Sequence, residues 1–389
     1  MKTRRSALLI LVIALLPSTA SANAGSPLMW ASLLYLVFGN AIIGLIEGIL
    51  LSRIFKCPER KSILTLIAAN YVSAWVGVIL FSMVINPLPD ITIENIRFWF
   101  CSFVVLAYLV TLLIEFPFFC FVMRSQKRCF VRAVKATALV NAISYVLLFG
   151  WYWMMVSGTS MMTRLQVVKP GSFTQRDEYA LFFISIDGTQ ILQTDLNGQH
   201  RTVLRDVVAT HRNDRLFSRR NTKTGYDLFI RLDSDKRENK REDLIATNFS
   251  EHAPVEWRIS EGYSEKAEGT WFNFGHVPSL ASKSEWEFST GFWTVDGIRC
   301  ENKKVNASVR FSLATPFAAW IVRNATHLEG DNVIFQLGEN QICILDPESR
   351  RIGLIARGKG PIVAKLTMSN KSPLPTGKST TDSPPIAPP

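Results

Sequence analysis

The chain has 389 residues, 48% of them hydrophobic, and a formal net charge of +11. Its length points to more than one domain, and its apolar residues are concentrated in long runs, which excludes a single soluble globule. The basic excess does not mark a nucleic-acid binder. Residues 1–159 hold 13 Lys and Arg against 5 Asp and Glu, and most of those bases sit in gaps between apolar runs.

Lys2, Arg4 and Arg5 precede the short apolar run Ala7–Leu16. Pro17 and two Ala-x-Ala patterns, Ala20–Ala22 and Ala22–Ala24, follow. This composition predicts a cleaved signal peptide over residues 1–24. Residues 25–157 then hold four apolar runs: Leu28–Leu51, Ile63–Ile85, Phe98–Met123 and Ala133–Met155. Each is long enough, at ~1.5 Å per residue, for a hydrocarbon core of ~30 Å, where a helix satisfies its own backbone.

The gaps give the threading. The first holds Arg53, Lys56, Arg60 and Lys61, and the third holds Arg124, Lys127, Arg128 and Arg132. The second, Asn86 to Arg97, holds Asp90 and Glu94. Basic loops stay inside. The second loop and everything after the fourth helix are therefore expected outside.

Two carboxylates and two amides lie at matching depth within the spans, one in each run: Glu47, Asn70, Glu115 and Asn141. Counted from the basic ends they fall at similar depth, roughly 10 Å above the inner interface. Buried carboxyl and amide groups in a bilayer face the bundle interior. The layer reads as interhelical hydrogen bonding, as a proton or cation site, or as a docking point for a basic partner residue. Gly44-x-x-x-Gly48 lies beside Glu47 and predicts close helix approach within the chain. Pro117 removes a backbone donor from the third helix.

Residues 158–175 read as a linker, residues 176–366 as an exported all-β domain, and residues 367–389 as a Pro/Ser/Thr tail too polar to order itself. Strand patterns cover Tyr179–Ile186, Gln190–Asp195, Arg201–Arg205, Leu228–Leu232, Leu244–Thr247, Val255–Ser260, Thr270–Phe274, Trp286–Val295 and Val305–Leu313. Three more follow: Asn332–Leu337, Gln341–Asp346 and Arg351–Arg357. Asp187-Gly188 and Asn197-Gly198 mark tight turns. The charged run 233–243 reads as a solvated loop.

Residues 189–195 (TQILQTD) and 340–346 (NQICILD) play the same part, a strand ended by Asp and followed by a turn and a basic strand. Residues 179–205 and 332–357 resemble blades of bacterial β-propellers. The resemblance implies a propeller-like domain, and the spacing of the two units fits five blades. A two-layer β-sandwich is the alternative.

Among the cysteines, Cys300 and Cys343 are the exported pair and the candidate disulfide. Trp271, Phe274, Trp286, Phe292 and Trp293 form an aromatic patch, read as core or as a binding face. The five histidines, His200, His211, His252, His276 and His327, lack metal-site spacing. His327 with Glu329 and Asp331 is a polar cluster. No catalytic, metal or cofactor motif is present. Asn248, Asn306, Asn324 and Asn370 head Asn-x-Ser/Thr triplets that a bacterial chain does not use.

The expected protein is a non-enzymatic, multi-pass protein of a bacterial inner membrane. Its periplasmic β-domain serves as an interaction or sensory scaffold, binding a protein, peptide or glycan. A transporter or channel subunit using the Glu/Asn layer is the second reading and an exported hydrolase the third. Beyond the lipid bilayer and the envelope ligand, no cofactor and no nucleic acid are expected.

Overall fold

The computed structural model describes residues 38–85, 90–155, 159–162, 164–173, 178–221, 225–233, 241–254, 275–291, 297–302, 304–313 and 320–366. The signal-peptide and tail segments lie outside these residues. The chain divides into a helical unit, Met1–Pro89 with Phe100–Tyr152, and a β unit, Asp90–Trp99 with Trp153–Pro389.

The helical unit is built from α1 (Asn40–Phe55), α2 (Glu59–Ile85), α3 (Ile96–Met123) and α4 (Cys129–Met155). Among the described residues, two segments, α3 and the Cys129–Gly150 part of α4, are long and apolar enough to cross a membrane. Large apolar side chains point outward on all four helices: Ile42, Leu64, Leu113 and Val146 are 56%, 61%, 75% and 70% exposed. The buried apolar core is Leu51, Leu66, Ala69, Phe119, Val122, Met123, Ala133, Ala136 and Val140. It lies between the basic loops and the polar residues of the spans.

The two basic loops are tied to each other. Lys61 Nζ donates to the carbonyls of Phe121 (2.9 Å) and Val122 (3.4 Å) at the end of α3. Gln126 Nε2 donates to the Phe55 carbonyl (3.0 Å) at the end of α1. Both fill acceptors that a helix C-terminus leaves open.

Gly44 and Gly48 set the α1–α2 contact. A Cβ on either would lie 2.5 Å from a backbone Cα of α2, that of Ile67 or Ile63. The GxxxG pair therefore serves packing within the chain.

The β unit contains β1 (Thr159–Ser160), β2 (Gln166–Val167), β3 (Tyr179–Ile184), β4 (Gln190–Thr194), β5 (Thr202–Asp206), β6 (Arg215–Arg220), β7 (Tyr226–Leu232), β8 (Arg241–Ser250) and β9 (Gly275–His276). It continues with β10 (Trp286–Thr290), β11 (Ile298–Asn302), β12 (Ala307–Ser312), β13 (Val322–His327), β14 (Val333–Leu337), β15 (Gln341–Asp346), β16 (Arg351–Arg357) and β17 (Lys359–Lys365). Among the described residues these form four sheets, ordered β17-β3-β4-β5, β6-β7-β8, β1-β12-β11-β10-β9 and β13-β14-β15-β16-β2. Consecutive strands pair antiparallel. β17 returns from the far end of the chain to pair antiparallel with β3.

The two sequence units quoted above are β3-β4-β5 and β14-β15-β16. Their equivalence extends to fine detail. The ladder slips between Ile191 and Leu192 in one and between Ile342 and Cys343 in the other, the same aligned place. Asp195 Oδ1 accepts from the backbone of Asn197 (3.0 Å) and Gln199 (2.7 Å). Asp346 Oδ1 accepts from Glu348 (3.0 Å) and Ser349 (3.1 Å). Each Asp ends its strand by capping the turn that follows. Gly188 and Gly198 take the expected tight-turn positions, with φ of 72° and 77°.

The fold corrects several expectations. Residues 158–175 are not a free linker. β1 runs parallel to β12, β2 runs parallel to β16, and Met161 and Leu165 are fully buried. The second loop is not free either, because residues 90–99 belong to the β unit. Ile93 and Ile96 are buried in its core with Phe335, Leu345 and Ile352. The Ile93 amide donates to Gln341 Oε1 (2.7 Å). Arg97, in the first turn of α3, donates to the Leu165 carbonyl (2.6 Å). The charged run 233–243 ends in strand: Glu242 of β8 bridges Arg219 (2.5 Å) and Arg231 (2.7 Å).

Gly44→Leu and Gly48→Leu should each destabilise the helical unit by about 1–3 kcal/mol or more, because the obstacle is backbone. Unfolding of the detergent-solubilised chain measures this, with Gly44→Ala the milder case.

Candidate functional site

The polar residues of the four helices meet. Asn70 Nδ2 of α2 donates to Glu47 Oε2 of α1 (2.6 Å) and to the Leu66 carbonyl one turn back (3.1 Å). Asn141 Nδ2 of α4 donates to Glu115 Oε2 of α3 (3.2 Å) and to the Thr137 carbonyl (3.1 Å). Ser73 Oγ of α2 donates to Glu115 Oε1 (2.8 Å), which ties the two carboxyl–amide pairs together. Glu47, Asn70, Glu115 and Asn141 are 1%, 7%, 0% and 1% exposed. Ser144, one turn beyond Asn141, is buried with them and donates to the Val140 carbonyl.

The geometry follows from helix periodicity. Leu66–Asn70, Thr137–Asn141 and Val140–Ser144 are i, i+4 pairs, so each side chain bonds the preceding turn while presenting its remaining polar atoms across the bundle. Ser73 lies one turn from Asn70 and reaches the next helix along. Sequence depth found the four principal residues. It missed Ser73, whose part depends on rotation about the helix axis. The arrangement can hold a proton on either carboxyl group. It also joins all four helices through side-chain hydrogen bonds.

Pro117 lies inside α3, two residues after Glu115. It withdraws one N–H from the helix ladder beside the layer. Tyr108 Oη of α3 donates to the Ala138 carbonyl of α4 (3.0 Å), and Tyr108 and Tyr145 stack edge to face at 5.1 Å.

In the β unit, Cys300 of β11 and Cys343 of β15 are free thiols rather than a disulfide. Both are fully buried in one apolar core, and burial pushes both thiols well above their ordinary range. They act as small core residues on two different sheets.

Of the aromatic patch, Trp271, Phe274, Phe292 and Trp293 lie outside the described residues. Trp286 is half-buried on β10 and packs against the same core. Its neighbour Phe288 is buried, with its ring 4.4 Å from that of His327.

His327 is 2% exposed. Its Nδ1 lies 2.9 Å from Ser279 Oγ and its Nε2 lies 3.2 Å from Asp331 Oδ1. The three residue types are those of a hydrolytic triad. Their placement is that of a latch. Leu280 N donates to the His327 carbonyl and His327 N to the Pro278 carbonyl, so the imidazole is enclosed where two backbone segments join. Ser282 and Ser284 extend the latch to Glu329 (2.8 Å) and Asp331 (2.5 Å). The remaining described histidine side chains are peripheral: His200 pairs with Asp195 (2.9 Å) and His211 faces Asp233 (3.9 Å). Among the described residues no group of His, Cys, Asp and Glu is placed to hold a metal ion.

Asn248, Asn306 and Asn324 have φ of 48°, 48° and 49°. Asn tolerates this left-handed region better than other side-chain-bearing residues. Backbone geometry therefore accounts for these three asparagines without glycosylation. No protein-family model matches the chain, and no curated protein matches it.

A double-mutant cycle on Glu47→Leu and Asn70→Leu should return a coupling of about 0.6–2 kcal/mol. Reversible unfolding in bicelles gives the four stabilities. Additivity within about 0.3 kcal/mol would mean that the pair does not hold the bundle.

Proposed function

We propose that the chain is a multi-pass protein of a bacterial inner membrane whose periplasmic β unit is a non-catalytic interaction or sensory module. The observation that carries this reading is the burial of Ile93 and Ile96, from the loop between α2 and α3 and the start of α3, in the core of the β unit. A loop between two helices and the long carboxyl-terminal segment fold as one body, so both belong on one side of the bilayer. The loops rich in Lys and Arg are the other two, and basic loops favour the cytoplasmic side. Four spans are supported by the outward apolar shell on all four helices together with the buried carboxyl and amide groups. Charged groups inside and aliphatic groups outside reverse the arrangement of a soluble bundle.

A propeller-like β unit is supported over a two-layer sandwich. Four sheets follow one another in chain order, two of them repeat each other down to the bulge, and β17 closes onto β3. Propellers present loops and clefts for protein, peptide or glycan ligands while leaving short edges.

A second reading, a transporter or channel subunit, is favoured by one observation: two buried carboxyl groups, Glu47 and Glu115, within a single hydrogen-bonded layer. The two readings separate in one preparation. Photo-crosslinkers at Val203 and Val208, which are 45% and 80% exposed, are installed in the full chain in native envelopes. The full chain is needed because an isolated 172–366 fragment lacks Ile93, Ile96, Met161 and Leu165 of the core. The scaffold reading predicts a discrete adduct, unchanged by Glu47→Gln with Glu115→Gln. Absence of an adduct, with proton- or cation-dependent flux in vesicles abolished by the same pair of substitutions, would favour transport.

A further inference from the structure

The β unit has a cleft of about 620 Å3 between the β3–β5 meander and the end of β16. Phe183, Leu192 and Ile355 form its apolar lining, and Arg201, Arg357 and Asp187 are its charged groups. That volume is typical of a site for a small molecule.

The hydrogen-bonding capacity left over in the cleft is one-sided. Asp187 is largely engaged by its own turn: Oδ1 accepts from Ser185 Oγ (2.5 Å) and Thr189 N (3.2 Å), and Oδ2 accepts from Thr189 Oγ1 (2.8 Å). Those bonds hold its carboxyl below the ordinary range. Gln190 Nε2 is given to Asp206 (3.2 Å), and Thr194 Oγ1 to the Gln199 carbonyl (2.5 Å). Arg201 lies with its guanidinium 5.2 Å from the Phe183 ring centroid. That contact leaves its N–H donors directed by no carboxylate. Arg357 gives Nη2 to Asp90 and to Asn340 Oδ1 (2.9 Å), while its Nε has no acceptor. The neutral polar side chains of the lining are thus largely engaged within the protein, and the cleft sets two guanidinium groups, Arg201 and the Asp90-bound Arg357, against the one carboxylate of Asp187.

We propose, on the reading of the β unit as a binding module, that this cleft takes a small anionic ligand. Arg201 and Arg357 receive its carboxylate or phosphate oxygens. Guanidinium forks suit these planar or tetrahedral oxyanions and make charge-assisted bonds to them. The ligand anion competes with Asp90 for Arg357. Asp90 begins the loop built into the β-unit core, so occupancy of the cleft and the ion pair of that loop oppose each other. By linkage, removing the competing carboxylate must tighten binding.

The test uses the full chain in detergent, titrated calorimetrically with inorganic phosphate, glucuronate and, as the neutral comparison, glucose. Saturable binding of phosphate or of glucuronate, with none of glucose, is expected, and the stronger of the two anions identifies the oxyanion class. Arg201→Gln, which replaces the guanidinium by a neutral amide, should weaken that binding at least roughly tenfold. Asp90→Asn should tighten it severalfold, an effect that mere loss of structure would not produce. No saturable binding of either anion at millimolar concentration overturns the proposal. So does binding that is unchanged in both Arg201→Gln and Arg357→Lys. If the anions fail while the adduct at Val203 or Val208 still forms, the anion site falls and the interaction-module reading stands. If both fail, the reading beneath it falls as well.

Discussion

The hydrogen bond from the amide of Ile93 to the side chain of Gln341 ties the loop between α2 and α3 into the β unit. A loop that joins two apolar helices would ordinarily be solvated, and this one is instead folded into the centre of a β structure whose sequence lies far downstream. Ile93 and Ile96 bring apolar area, and Gln341 supplies the acceptor that a buried N–H requires. Arg97 then satisfies carbonyls of the turn after β1. Large sequence separation makes such contacts costly in chain entropy, so this junction is expected to form late, after the strands it enters.

The same economy governs the helices. In hydrocarbon, burying aliphatic side chains between helices gains little over leaving them in lipid. What distinguishes the interior of this unit is therefore small residues and polar ones: Gly44 and Gly48 bring two backbones together, and Glu47, Asn70, Ser73, Glu115 and Asn141 bond across them. In the β unit the preference is reversed. Cys300 and Cys343 sit beside Phe335 and Leu345 as packing groups, and the polar residues sit in turns, in the His327 latch or at the cleft. One chain thus uses polarity as cement in one half and as punctuation in the other.

Much of this was legible in the residues alone, for identifiable reasons. The polar layer was visible because depth in a helix counts at a fixed rise per residue, and Glu or Asn in an apolar run stands out. The β3–β5 and β14–β16 meanders were visible because their strands are apolar and their turns carry Asp, Asn and Gly. The strands that escaped were the irregular ones. In β17 a Gly-Pro pair interrupts the pattern, and the ladder slips just there, between Lys359 and Ile362, where Pro361 need not donate. β13 slips between Arg323 and Thr326, which breaks alternation in a segment already rich in polar residues. β6 escaped, and β8 was read only at Leu244–Thr247, because arginine and glutamate stand where cross-strand ion pairs and Arg219 and Arg231 over Phe217 replace apolar contacts. Residues 90–99 and 159–173 read as connectors, since nothing in a short mixed segment announces a distant core. The cleft was illegible because it joins residues far apart in the chain.

The most direct measurement is backbone hydrogen exchange across residues 92–97 in the intact protein. The account predicts that the Ile93 and Ile96 amides exchange as slowly as those of β14 and β15, as members of one cooperative unit. Exchange of this segment at the rate of an open turn such as 196–200, while β14 and β15 stay protected, would contradict it.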